Sequence, residues 1–79
     1  MTLPALNFDR PKIALRRLDK WIERECPIHA LAQAASCRLA VKEYELNRGR
    51  LGAGNSLVNA LCQLKTLREM LLRPERRGI

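Results

Sequence analysis

Residues 27–48 restrict the fold of this chain more than any other stretch, because they are apolar on two opposite sides at once. With successive residues set about 100° apart, as on an α-helix, Ile28, Leu31, Ala32, Ala35, Leu39 and Leu46 gather on one face. Ala30, Ala34, Cys37, Val41 and Tyr44 gather on a second face nearly opposite. His29, Gln33, Ser36, Arg38, Glu43 and Glu45 take the edges between them. A helix with two apolar faces needs a neighbour on each. This one is therefore expected at the centre of a bundle or at an interface between subunits, and its alanines allow another helix to approach closely.

The rest of the chain supplies two such neighbours. Residues 1–10 contain Pro4 and show no periodicity, so they read as an extended arm. Asp9 is the expected N-cap of a first helix, with Pro11 in its first turn, where a missing N–H costs nothing. Over 11–25, Leu15, Leu18, Trp21 and Ile22 recur at three- and four-residue spacing as one apolar stripe, and Arg16, Lys20, Glu23 and Arg24 fall largely on the other side. Pro27 disfavours helical geometry at Cys26, so a break or kink is expected there. Gly49, Gly52 and Gly54 mark a connector, with Gly49 placed to end the long helix in a left-handed conformation. A third helix is expected over 56–72, capped by Asn55 or Ser56 and ended by Pro74. Its broad face holds Leu57, Ala60, Leu61, Leu64, Leu67, Leu71 and Leu72. The expected fold is all-α: a three-helix domain over 11–73 with a long central helix, its last two helices an antiparallel hairpin, followed by a basic tail at 74–79.

A chain of 79 residues has room for one core and a thin stability margin. Small domains often offset that margin by adding a second subunit, and here the second apolar face has no intrachain helix clearly assigned to it. A homodimer is expected, closed through Ala34, Cys37, Val41 and Tyr44. Trp21, the single tryptophan, is counted with these candidate interface residues as an anchor, against its competing reading as a core residue.

Little in the sequence supports catalysis. His29 is the only histidine, and it lies three residues from Cys26 across Pro27, poor geometry for a Cys–His dyad. Cys26, Cys37 and Cys62 lack the paired close spacings of zinc modules, so no metal or other cofactor is expected. The glycine-rich connector has no GK[ST] and no preceding strand, which sets it apart from a P-loop. The carboxylates Asp19, Glu23, Glu43 and Glu45 sit among Lys and Arg at helical spacings and read as solvated ion pairs. Free thiols in a helical chain, without a signal peptide or an apolar run near the ~20 residues of a membrane span, suggest a cytoplasmic protein with no membrane insertion.

The charge balance, fifteen Lys and Arg against eight Asp and Glu for a net +7, favours an anionic partner. One segment bears on which. Leu31-Ala-Gln-Ala-Ala-Ser36-Cys-Arg-Leu-Ala-Val41-Lys-Glu-Tyr44-Glu, followed by Asn55-Ser-Leu-Val-Asn-Ala-Leu, resembles the helix-turn-helix core of small phage-repressor-type DNA-binding domains. The resemblance implies that Arg38, Lys42 and Arg48 reach DNA. Arg50 and the tail residues Arg73, Arg76 and Arg77 join them as candidate contacts to nucleic acid or an acidic partner. Arg10, Lys12, Arg16 and Arg17 form a second basic cluster. An uninterrupted helix, however, explains Ala30 to Leu46 with no gap and no strained turn, and is the preferred reading. The expectation is thus a non-enzymatic interaction module that docks on a larger protein through helix surfaces, in the manner of adaptors, chaperone-like proteins or inhibitors encoded by phages and plasmids. A basic DNA-binding regulator is the alternative.

Overall fold

The computed structural model describes residues 3–72. Three α-helices follow one another: α1 (Pro11–Arg24), α2 (Leu31–Asn47) and α3 (Ala53–Leu72), with a single 3-10 turn, Ile28–Ala30, leading into α2. Among the described residues there is no strand.

Local chemistry sets the helix ends. Pro11 occupies the first turn of α1, but the N-cap is Arg10 and no side chain caps the helix. Asp9, the expected cap, instead donates its backbone N–H to Asn7 Oδ1 at 2.9 Å, and the Arg10 N–H bonds the Asn7 carbonyl at 3.1 Å. Asn7 closes a turn one residue too early for Asp9 to serve. At the other end, the Glu25 and Cys26 amides both return to the Trp21 carbonyl, at 2.8 and 3.0 Å. Pro27 is extended (φ −67°, ψ 149°), so the break falls where proline geometry demands it. The first turn of the expected second helix is accordingly 3-10, closed by the Ala30 N–H on the Pro27 carbonyl at 3.0 Å.

α2 runs without interruption through Ser36, the position at which a helix-turn-helix would turn. Gly49 ends it at φ +77°, as its position suggests. Gly52, at φ +90°, redirects the chain so tightly that α3 begins at Ala53, upstream of both expected caps. Ser56 lies inside the helix, its amide bonded to the Gly52 carbonyl at 3.1 Å. Its hydroxyl accepts a bond from Asn47 Nδ2 at 2.8 Å, which ties the end of α2 to the start of α3. Farther along, Gln33 Nε2 donates to the Gln63 carbonyl at 3.0 Å and to Gln63 Oε1 at 2.8 Å. The early part of α2 thus meets the later part of α3, and the pair is an antiparallel hairpin.

α2 is central. α1 and α3 both pack against it and make no close backbone approach to each other. The body is elongated, 47 × 22 × 16 Å. Its core joins Ala14, Leu18 and Trp21 of α1, Ala34, Cys37, Ala40 and Val41 of α2, and Ala60, Leu64 and Leu67 of α3. Alanine recurs wherever helices meet, because a small side chain lets flanking backbones close without leaving voids. The arm is not a free extension. Residues 3–7 have no regular secondary structure, yet Phe8 is buried and Leu3 and Leu6 pack on the core. Arg17 holds the arm by donating to the Ala5 carbonyl at 3.1 Å.

Candidate interaction surfaces

The structure reverses the expected roles of the two faces of α2. Ala34, Cys37 and Val41, expected to close a dimer, are completely buried inside the chain itself. Tyr44 is half-buried against the same core, and Trp21 is 3% exposed. Four of these five side chains offer no surface to a second molecule, and Tyr44 keeps only part of its own. The reason is steric. α2 has a helix on each side, and the face carrying Ala34, Cys37 and Ala40 is the one narrow enough to accept both.

The opposite face is left open. Ile28 is 91% exposed, Leu46 60%, Leu39 58% and Leu31 46%, with Ala32 and Ala35 exposed between them. Periodicity had grouped these residues without showing that they point outward. A shorter apolar margin lies on α3, where Val58, Leu61 and Leu72 are exposed, although Leu61 and Leu72 were expected in its packed face. Leu51, in the connector, is fully exposed.

The candidate anion contacts divide into three groups. Arg38 pairs through Nε with Asp19 Oδ1, bridging α2 to α1, so much of its charge is already answered within the chain. Lys42, Arg48 and Arg50 are exposed but do not converge. Arg48 lies beside Arg10, Lys12 and Arg16 around an open concavity of about 520 Å³ that also holds Glu45 and Asp9. Arg73, Arg76 and Arg77 lie outside the described residues, as does the tail at 74–79. Sequence reading gave less weight to α1, where Lys12, Arg16, Arg17, Lys20 and Arg24 are all exposed.

Two of the three thiols are shielded by burial. Burial pushes the Cys37 thiol from an ordinary 9.0 up to about 11, against a smaller downward pull from Arg68. Burial also raises Cys26, whose Sγ lies 3.5 Å from the Pro27 carbonyl, while Cys62 is exposed on α3. Among the described residues, no three His, Cys, Asp or Glu side chains come together as a metal site, and no helix is long and apolar enough to cross a membrane. Two buried ring nitrogens, Trp21 Nε1 and His29 Nε2, have no hydrogen-bond partner among those residues.

Comparison with known protein families, curated proteins and solved structures returns no match.

Proposed function

We propose that this protein is a non-enzymatic helical interaction module, an adaptor or inhibitor, that docks on a larger protein through the outer face of α2. The observation that carries the proposal is the exposure of Leu31, Leu39 and Leu46 along one side of the central helix, with Ile28 of the 3-10 turn leading into it. Scattered surface leucines are ordinary, but four large aliphatic side chains gathered on one face of a small domain, with Lys42 and Glu43 between Leu39 and Leu46, are characteristic of an interaction site. The exposed fractions amount to roughly two and a half leucine-sized side chains, or ~4–8 kcal/mol of transfer free energy before the costs of association.

The geometry suits a helix laid into an apolar groove, in which successive turns present anchors to one side. Here the helix is already held by α1 and α3, so docking need not pay to fold it. The partner surface that complements this stripe is an apolar groove with charges of both signs at its rim, since Lys42, Glu43 and Arg48 stand exposed on the same helix and at its end.

The proposal is tested by quantitative capture from nuclease-treated host lysate, comparing the wild type with Leu39→Gln/Leu46→Gln. One protein retained by the wild type and lost by the variant, with helicity unchanged, is the expected result. Equal recovery by both proteins contradicts it.

A further inference from the structure

We propose that the outer face of α1 is a second, separate binding surface, which takes the phosphate backbone of duplex nucleic acid without reading its sequence. Lys12, Arg16, Lys20 and Arg24 recur every fourth residue, forming one ridge about 18 Å long at ~1.5 Å per residue. All four are exposed, and Arg17 stands exposed beside Lys20. The carboxylates near the ridge do not pair with it: Asp9 and Glu45 share a concavity with Lys12 and Arg16, Glu25 borders Lys20 and Arg24, and Glu23 lies on α1, yet the one ion pair within 4 Å among the described residues is Arg38 with Asp19.

The character of the ridge selects its partner. Among the described residues none of the large exposed hydrophobics lies on α1: Ala14, Leu18 and Trp21 are buried in the core, and Ile13, Leu15 and Ile22 are partly buried. A face without an apolar centre is unlike a protein-docking patch, and it has nothing to insert into a bilayer. Interfaces with nucleic acid are the ones that are polar and strongly cationic throughout. Single strands are bound on exposed aromatic platforms. Here Phe8 and Trp21 are buried and Tyr44 is half-buried, so no such platform accompanies the ridge. A duplex backbone remains, with a phosphate every ~3.4 Å of axial rise on each strand. Arginine and lysine side chains at that surface fix position and supply affinity but carry no sequence information. This surface is distinct from the outer face of α2, so either can fail without the other.

Fluorescence anisotropy with a 20-base-pair DNA duplex of arbitrary sequence tests the proposal. Five phosphate contacts give a slope of log K against log salt near ~−4.5, so affinity falls roughly 500-fold between 50 and 200 mM salt. Arg16→Gln/Lys20→Gln should flatten the slope by about 1.8. Lys65→Gln/Arg68→Gln removes the same charge from the exposed side of α3 and should leave the slope unchanged. Glutamine keeps helix propensity, and circular dichroism verifies the fold of each variant. Equal binding to a second, unrelated duplex supports the proposal. An RNA duplex run in parallel shows whether one or both duplex forms are taken. Absence of binding at 50 mM salt, equal loss in the two double variants, tighter binding to a single strand, or equal binding to polyglutamate would overturn it.

Discussion

Placing a carboxylate at Val41 and an amide at Leu39 compares the two faces of α2 within two residues of each other. Val41 is completely buried and Leu39 is 58% exposed. Val41→Asp forfeits the burial of its side chain, at the low end of ~1.5–3 kcal/mol, and places a charge in a core with no partner, which costs several kcal/mol more. The total exceeds ~4 kcal/mol, comparable with the ~4–12 kcal/mol that a domain of this length has in all. Leu39→Gln loses only the buried two-fifths of a leucine, ~0.6–1.2 kcal/mol. Urea unfolding followed by circular dichroism reads the difference. With a slope near ~1 kcal/mol/M, Leu39→Gln should move the midpoint by about 1 M or less, whereas Val41→Asp should abolish the cooperative transition. Val41→Thr, which buries one hydroxyl at a cost of ~1–3 kcal/mol, keeps the inner face measurable if the aspartate variant does not fold. Equal losses at 41 and 39, or a larger loss at 39, would refute the inward and outward assignment.

Three further predictions follow from particular residues. Gly49→Ala meets no atom within 4 Å but must hold a side chain at φ +77°; a loss of about 1–2 kcal/mol in urea unfolding is expected, and a neutral result contradicts the turn geometry. Gln33→Ala removes both bonds to Gln63 and should cost about 1 kcal/mol, with Gln63→Ala in the same background adding less than it does alone in a double-mutant cycle. Cys37 sets a pH dependence. Its folded pKa is raised from 9.0 to about 11, so its contribution is complete below pH 9 and is lost as pH rises through about 11, a change of roughly 2–3 kcal/mol. Unfolding at pH 7.5, 9 and 10.5 should show a decline in the wild type that is reduced in Cys37→Ala, and parallel curves would contradict the burial of the thiol.

The sequence made the helices legible because proline and glycine punctuate it with strong local geometry. Pro27 and Gly49 bound the central helix where their backbone preferences require. The start of α3 was less legible, since a positive φ at Gly52 is invisible to a capping argument and moves the boundary ahead of Asn55 and Ser56. The deeper failure concerned α2. Periodicity finds two apolar faces but treats them as equivalent, and the bulkier leucine face looks the better candidate for a core. Packing decides otherwise. Two flanking helices at close range are met by Ala34, Cys37 and Ala40, and the leucines are left to the surface. Phe8 was missed because an arm without periodicity gives no signal of docking. The cationic ridge of α1 was visible as composition, but its independence from Asp19 appears only once Arg38 is seen across the helix interface.

Site-specific photo-crosslinking tests the role of the α2 outer face most directly. A benzoylphenylalanine at Leu39 reports what lies against that face in the host cell, and the same group at Asn59, an exposed polar position on α3, serves as the reference. One crosslinked product is expected from position 39, with the mass of this chain plus a larger protein, and none of that mass from position 59. A product no larger than two copies of this chain, identical products from both positions, or no product from position 39 would contradict that role.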